Sequence, residues 1–338
     1  YTPPQEAVVI GEGEFRYQLV PGWATENAAK YKLGHCHAIK QDSRGRILLL
    51  HSSKEQCVIA LSPEGKVLDA WGDFTNSAHG LAVVAEKDRE VLFITDNSGN
   101  GKIFKTTLDG EILMTVSCPM ESKLYANPNE FKPSKTLHLP NGEFLVFDGY
   151  GKDYIHRFSA DGKWRSAFGG DLGKGEARLK HWGPHGGALD LRDPGNPVII
   201  LALSDQEKMK RFKLDGTWIE TINFPGGNPR DIIFHRGHLF VNHLGDNWPA
   251  DRNAAGYLSV LDYDLKVVAN LGGAPARYDR AGKLARMGHS SHLFHHPHDL
   301  GADREGNLYV AQFSSNGTWP LKFVPLPRQS QSQRKADQ

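Results

Sequence analysis

Several features that would identify common classes of protein are missing from this sequence. No apolar stretch approaches the ~20 residues that a membrane-spanning helix requires, so we expect no membrane span. The charges nearly cancel, with 40 Lys and Arg against 39 Asp and Glu, and this balance argues against nucleic acid as a partner. The segment 328–338 is polar except for one Ala. We therefore expect a single domain over 1–327, followed by a disordered tail.

Cysteine is also scarce. The three cysteines, Cys36, Cys57 and Cys118, form neither a CxxC pair nor an even-numbered disulfide framework, so at least one thiol is free or pairs with another molecule. The chain begins at Tyr1 without Met, which favours removal of a leader. We therefore expect a secreted or periplasmic protein, and we expect it to be a monomer.

What the sequence does contain is one pattern that recurs six times. A small residue or Pro is followed by a polar residue, an apolar strand, a tight turn and a second apolar strand. The six copies occupy 36–51, 78–96, 133–148, 184–205, 229–243 and 297–312. Each of the first five is followed by a second hairpin, at 56–72, 101–117, 153–169, 208–224 and 256–272.

Two hairpins make a four-stranded antiparallel blade, so the pattern predicts an all-β, six-bladed β-propeller. The sixth repeat is followed by only one more strand, at 318–326, and we expect the segment 7–20 to supply the missing outer strand and close the circle. PHDLGADREGNLYVAQF and FDGYGKDYIHRFSADGKW resemble NHL repeats, and this resemblance covers nearly the whole chain. It indicates the fold and leaves the function open.

Aligning the repeats on the residue that opens the inner strand places one polar residue per blade at the same depth in the channel. Alternate blades 2, 4 and 6 carry histidine there, and three imidazoles spaced around a channel can hold one ion with a position left open, as catalytic zinc sites do. A lone channel histidine usually binds only water. The metal-site interpretation therefore rests on the recurrence of histidine at the same position in three alternate blades. The six positions, which we call the channel ring, are His37, His79, Ser134, His185, Arg230 and His298.

Other side chains are expected near this mouth. Tyr150 lies in the loop between strands 2 and 3 of blade 3, which should reach the same end of the channel. Ser134, Lys135, His295 and His296 are candidate substrate contacts. The histidines outside the register are expected in turns, on the surface or lining the face; they are His51, His138, His156, His181, His235, His238, His243, His289 and His292.

A more specific resemblance follows from AHGLAVV, PHGGALDL and PHDLGAD, with FDGYG between the first two. In kind and order these motifs resemble the lyase domain of peptidylglycine α-amidating enzyme. That resemblance implies zinc held by His79, His185 and His298, Tyr150 as the catalytic base and Asp299 as an adjacent acid. It also implies a structural calcium ion, held largely by backbone oxygens.

The chain departs from that family at two positions. The family has an arginine ahead of the first inner strand, where this chain reads GHCHAI, and another where this chain has Gln206. In that family both arginines bind the carboxylated end of the substrate. Arg230 and Lys135 could supply positive charge from other blades, and we expect His37 and Arg230 to take part in catalysis. The substrate is therefore either a peptide or a hydroxylated or keto-sugar.

The leading interpretation is a zinc-dependent or other metal-dependent lyase that acts on a C–N or C–O bond of a small molecule or peptide. The alternative is a non-enzymatic NHL propeller that binds a protein or glycan. A lactonase-like propeller is a further option, but such sites use carboxylates around calcium, and the channel ring contains no carboxylate.

Overall fold

The computed structural model describes most of the chain and nearly all of the repeats. The residues that it describes are 4–25, 31, 33–245, 254–313 and 319–327. The predicted tail at 328–338 lies outside them.

The described residues form six small antiparallel sheets arranged as the blades of a propeller. In the first three blades, four strands follow one another from the channel outward. Blade 1 contains β3 (Cys36–Gln41), β4 (Ile47–His51), β5 (Val58–Leu61) and β6 (Val67–Trp71). Blade 2 contains β7 (Ala78–Ala85), β8 (Glu90–Asp96), β9 (Ile103–Thr107) and β10 (Ile112–Val116). Blade 3 contains β11 (Lys135–His138), β12 (Phe144–Phe147), β13 (Tyr154–Phe158) and β14 (Trp164–Gly169).

The remaining blades keep this order, with short additions in blades 5 and 6. Blade 4 contains β15 (Pro184–Asp190), β16 (Val198–Leu203), β17 (Lys208–Lys213) and β18 (Trp218–Asn223). Blade 5 contains β19 (Pro229–His235), β20 (His238–His243), β21 (Ala255–Leu261) and β22 (Val267–Leu271), and β23 (Phe294–His295) pairs with β21. Blade 6 contains β24 (Pro297–Ala302), β25 (Leu308–Gln312) and β26 (Leu321–Pro325), joined by β2 (Tyr17–Leu19) and β1 (Val9–Ile10).

Helix is confined to short connecting turns in the described residues, and none of these turns is long and apolar enough to cross a membrane. The 3-10 turns are Met120–Ser122, Pro128–Glu130, Gly170–Leu172 and Gly175–Ala177.

The N-terminal segment closes the propeller, as the sequence predicted. Strand β2 pairs with β26, so that Leu19 lies opposite Phe323. The prediction of one strand over 7–20 was incomplete, because the segment turns at Gly11 and forms two strands. A side chain at Gly11 would collide with the carbonyl oxygen of Phe15, and its φ of +76° also favours glycine. The hairpin therefore adds a fifth strand to blade 6.

Burial follows the position of each strand in its blade. The second strands, such as β4 and β16, are buried along their whole length, because both of their faces pack against neighbouring blades. The outer strands, such as β6, are partly exposed. The inner strands contact one another in sequence order, and β24 contacts β3 to complete the circle. All three cysteines lie in the described residues as buried thiols without a disulfide.

Nine histidines were expected in turns, on the surface or lining the face, and for three of them, which are completely buried, this expectation was wrong. His51, His156 and His243 each lie within a strand. The imidazole of His243 stacks on Tyr257 at 4.6 Å between centroids, and its Nε2 contacts Ser259 Oγ at 2.9 Å. Burial lowers the pKa of both His156 and His243 to about 3. These imidazoles are therefore neutral parts of the core.

Because Tyr17 lies in the strand that closes the propeller, we expect Tyr17→Ala to lower the stability of the protein strongly. Tyr17 is 2% exposed and packs edge-on against Phe240 of the neighbouring blade. Removing a buried aromatic side chain costs about 3–5 kcal/mol in the free energy of unfolding. Val9→Ala is the matched control, because Val9 in β1 is 47% exposed and should change stability by about 0.5 kcal/mol or less. Denaturant titration measures both, and similar losses would contradict a closing role for β2.

The buried histidines predict loss of stability in mild acid. Below the ordinary pKa of 6.5, His243 takes up a proton in the unfolded chain but not in the folded one, so stability falls as the pH falls from 6.5 toward 3. One such group contributes a slope of up to about 1.4 kcal/mol per pH unit. We expect His243→Gln to flatten the pH dependence of the unfolding free energy by about that amount. The comparison at pH 8 isolates the effect of the substitution itself, and an unchanged slope would refute the assignment.

Candidate functional site

The structure brings all six residues of the channel ring to one small cavity at the centre of the propeller. The cavity has a volume of about 20 Å³, enough for about one water molecule or ion. Every ring residue is buried, and His37 is the most exposed at 9%.

A β-bulge places the ring residue in five of the six blades. The pairing of each of these inner strands shifts by one residue at the ring position; in blade 2, for example, Ala78 pairs with Asp96 but Gly80 pairs with Thr95, leaving His79 as the extra residue. The same shift surrounds His37, His185, Arg230 and His298. A bulge re-aims the side chain of its extra residue, which here faces the channel. Blade 3 has no such shift, and Ser134 immediately precedes β11.

Histidines from alternate blades share one hydrogen-bond pattern. Each donates from Nδ1 to the backbone carbonyl of the ring residue in the next blade. The three bonds join His79 to Ser134 at 2.8 Å, His185 to Arg230 at 2.9 Å and His298 to His37 at 2.9 Å. Because a carbonyl only accepts, these partners assign the proton to Nδ1 and leave the Nε2 lone pair unprotonated. Such outer partners are typical of metal-binding histidines.

These three residues, the alternate-blade trio, are evenly spaced. Their imidazole centroids are 4.9 Å apart between His79 and His185, and 4.8 Å from each of these to His298. A second, overlapping group is also compact: one ring nitrogen each from His37, His79 and His298 lie within 4.8 Å of one another. His37 differs from the trio, because its Nε2 contacts Ser52 Oγ at 3.1 Å and its buried Nδ1 has no hydrogen-bond partner among the described residues.

The loop that carries Tyr150 is fixed by its two glycines. A side chain at Gly149 would collide with the carbonyl oxygen of Pro184, and one at Gly151 would collide with the carboxylate of Asp148. That buried carboxylate accepts from the backbone N–H groups of Lys132 and Lys152, each at 2.7 Å. The Asp-Gly-Tyr-Gly sequence thus folds into one tight turn that directs Tyr150 to the channel ring.

The hydroxyl of Tyr150 lies between two histidines of the trio. It is 3.0 Å from His79 Nε2 and 2.9 Å from His185 Nε2. Both nitrogens are acceptors, and the hydroxyl has only one proton to donate. One of the two contacts therefore lacks a proton unless a cation or an additional proton joins the group.

An additional proton is disfavoured at these imidazoles. Burial lowers the pKa of His79 to about 4, and burial followed by the positive charge of Arg230 holds the pKa of His185 well below its usual range. Burial, then repulsion from the His79 imidazolium, does the same to the pKa of His298. Burial also raises the pKa of Tyr150, although Arg230 opposes this effect.

Arg230 is a buried cation with hydrogen-bonding capacity to spare. It is 2% exposed, and its Nε and Nη1 have no hydrogen-bond partner among the described residues. Its Nη2 lies 3.8 Å from Asp205 Oδ1. A buried guanidinium with two nitrogens that lack hydrogen-bond partners can bind an anionic group.

Two further predicted residues belong to a group of two buried carboxylates and two partly buried lysines next to the ring. Both carboxylate oxygens of Asp299 accept from Lys40 Nζ at 2.8 Å, and Lys135 pairs with Asp231. Lys40 is also 3.7 Å from Asp231. We call these four residues the channel quartet. The sequence analysis missed Lys40 and Asp231, although Asp231 directly follows a ring residue as Lys135 and Asp299 do.

The other predicted contacts lie in different settings. Ser134 Oγ donates to the carbonyl oxygen of Pro184 at 3.0 Å, and the backbone N–H of His295 donates to Gln312 Oε1 at 2.7 Å. His296 is fully buried, and its Nδ1 accepts from the N–H of Gly245 at 3.1 Å. Two aromatic groups were missed, because hydrophobic side chains gave no distinguishing signal. They are Phe313, 5.5 Å from His37 and 5.8 Å from His298, and Trp182, 5.7 Å from Tyr150, between centroids.

Comparison with known proteins supports the fold. No protein-family profile matches the chain, and no curated protein sequence matches it. Among solved structures, streptogramin B lyase is similar with a TM-score of 0.56 and 13% identity, covering 87% of this chain and 94% of that chain. A putative oxidoreductase (glucose dehydrogenase) from Thermus thermophilus gives a TM-score of 0.56 at 14% identity, with 86% and 97% covered.

A third similar structure is the Pan2 WD40 domain of Neurospora crassa, with a TM-score of 0.55, 10% identity and coverage of 88% and 91%. At these identities the likeness shows the propeller fold alone. The chain is a six-bladed β-propeller, like these solved structures.

Proposed function

We propose that this protein is a metal-dependent lyase whose metal, with zinc as the first candidate, is held by the alternate-blade trio. The observation that carries the proposal is the repeated bond from Nδ1 to a backbone carbonyl, because it leaves the Nε2 atom unprotonated in each of three evenly spaced imidazoles. Three imidazoles with an open fourth position are a typical donor set for catalytic zinc. Other divalent ions that favour imidazole would also fit.

The chemistry of the donors supports this fit. The Tyr150 hydroxyl, His79 and His185 together offer one proton for two acceptor nitrogens, and their burial disfavours protonation of the histidines. A metal ion satisfies the lone pairs without a proton. The competing donor set replaces His185 with His37 and shares the other two residues. We favour the trio because all three of its members have the same backbone partner, whereas His37 does not.

On this proposal Tyr150 is the general base. A bound divalent ion acts as a Lewis acid and favours loss of a proton from nearby hydroxyl groups. Tyr150 Oη takes the proton of a substrate hydroxyl, the carbon–oxygen bond becomes a carbonyl, and the bond from the same carbon to nitrogen breaks. The leaving nitrogen then receives the proton back from Tyr150. An α-hydroxyglycine peptide would give an amide and glyoxylate; a hydroxylated or keto-sugar would lose a C–O bond by elimination.

Arg230 supports a substrate that carries an anionic group close to its reacting hydroxyl. Its guanidinium lies buried in the channel ring with two nitrogens available. We propose that Arg230 binds the carboxylated end of the substrate, which two arginines at other positions bind in the amidating lyase family that the sequence resembles. Asp299 acts as a positioning residue, because its carboxylate also accepts from the N–H of Ile39 and so ties blade 6 to blade 1 beside His298. The roles of His37, His295 and His296 in binding or catalysis stay predictions.

The named neighbours agree with enzymatic use of this fold without identifying the reaction. One is called a lyase and another a putative oxidoreductase, and these names describe those proteins only. A protein-binding scaffold has no need of a buried arginine with two unbonded nitrogens beside three oriented imidazoles. The metal site therefore favours the enzyme.

Metal analysis of single variants tests the donor set. We expect about one equivalent of zinc or a similar ion in wild-type protein purified without a His tag, loss of most of it in His185→Ala, and retention in His37→Ala. Both variants should fold, because the ring caps a channel and lies outside the apolar core. His238→Ala on the partly exposed start of β20 is the control. The reverse result for the first two variants would assign the metal to His37, His79 and His298. Equal metal content in all four proteins would exclude a metal site in the channel ring.

Tyr150→Phe distinguishes loss of the catalytic base from loss of the metal. The substitution removes one hydroxyl and should leave folding and metal content unchanged, while turnover falls about 10²–10⁴-fold, as expected for loss of a general base. The assay panel contains an α-hydroxyglycine peptide together with hydroxylated and keto-sugars, each with and without a carboxylate. Trp182→Phe, which alters the neighbouring aromatic but no proton donor, is the control.

Full activity in Tyr150→Phe would exclude this residue as the base. A wild-type protein that is inert on every panel member but binds a protein or glycan tightly would favour the scaffold.

A further inference from the structure

The channel quartet lies between two cavities of the central channel. Asp231 and Asp299 line the small cavity of the channel ring. Lys40 lines a wider cavity of about 400 Å³ with mostly apolar walls, and Lys135 lines both. The quartet therefore forms a charged partition within the channel, and neither the proposed metal nor Tyr150 accounts for it.

The environment of Lys40 consists of oxygen atoms. Its Nζ donates to both carboxylate oxygens of Asp299 and to the backbone carbonyl of Leu300, each at 2.8 Å. The nearest oxygen of Asp231 is 3.7 Å away. Two carboxylates and a backbone carbonyl are the donors that a hard cation such as Ca²⁺ prefers. The ammonium group therefore occupies the position that such an ion would take.

This arrangement does not fit an additional calcium ion at the same point. The resemblance noted above implies a structural calcium held largely by backbone oxygens, but here the carbonyl of Leu300 and both oxygens of Asp299 already accept from an ammonium group. Two positive charges this close in a buried site would repel each other strongly. Lys135 adds a second positive charge beside Asp231.

We propose that Lys40 is the built-in cation of this channel and does the structural work of a bound metal ion. Its ammonium neutralises Asp299, whose carboxylate accepts from Ile39 in blade 1 and directly follows His298 in blade 6. Lys40 itself lies in β3 of blade 1. The ion pair thus joins the first and last blades where the propeller closes. This inference does not depend on the proposed function, because it concerns oxygen donors and not imidazoles.

Calcium dependence gives a direct test. With saturating Zn²⁺ present throughout, so that the histidines cannot account for the response, we expect the Tm of the wild type to be the same in calcium-depleted buffer and with millimolar CaCl₂. Lys40→Met removes the ammonium and keeps most of the side-chain volume. It should lower the Tm by roughly 10 °C, because it leaves a buried carboxylate unpaired. Adding CaCl₂ should restore most of that loss and bind at about one equivalent by calorimetry.

Two further variants make the outcome decisive. Lys105→Met breaks an ion pair with the partly exposed Glu86 and should show no calcium response. The double variant Lys40→Met with Asp299→Leu removes the unpaired charge. It should fold without calcium, and its Tm should not change when CaCl₂ is added. A wild type stabilised by calcium would overturn the proposal. So would a Lys40→Met protein that gains no stability, or does not refold, when calcium is supplied.

Discussion

One extra residue in the inner strand of a blade determines what the centre of this propeller can do. In an uninterrupted strand, side chains alternate strictly between two faces. The residues on either side of a channel-facing histidine would then have to face away from it. The bulge at the ring position releases the side chain from that alternation in five blades. Each histidine of the trio then donates from Nδ1 to the carbonyl of the ring residue in the next blade. The bulge therefore places the histidines, and the neighbouring blade orients them.

The electrostatics of the channel follow from this geometry. The channel ring gathers four imidazoles and a guanidinium around a small buried cavity. Burial lowers the pKa of the imidazoles, so they remain neutral, and the Nε2 atoms of the trio remain acceptors. The channel quartet holds carboxylates whose charge is already balanced by lysine. On our proposals, the ring holds an exchangeable metal ion, whereas the quartet carries its own cation. Nitrogen donors and oxygen donors are separated along the channel, and this separation reduces competition between ions of different preference.

Much of this could be predicted from the sequence because the repeat fixes the register. Equivalent positions in a propeller lie at equal depth, so alignment alone brought residues as distant as His37 and His298 together, and the Asp-Gly-Tyr-Gly turn identified Tyr150. The channel quartet was missed for a physical reason. Alternation predicts that the residue after a ring position turns away, yet Asp231 and Asp299 line the same cavity as Arg230 and His298. The buried histidines were misjudged because polarity was taken to mean exposure, whereas His243 is stabilised by stacking and one hydroxyl contact.

The fold and the site draw on different parts of the sequence. The apolar clusters that stabilise the protein lie between blades and are built from the second and third strands, for example Leu48, Leu92 and Val58 in one cluster. The channel side chains come from the first strands and contribute little to those clusters. Substitutions in the channel can therefore change the chemistry while the packing between blades is preserved. This division explains why proteins with 10–14% identity and quite different names share this architecture. It also explains why the function must be argued from the channel residues themselves.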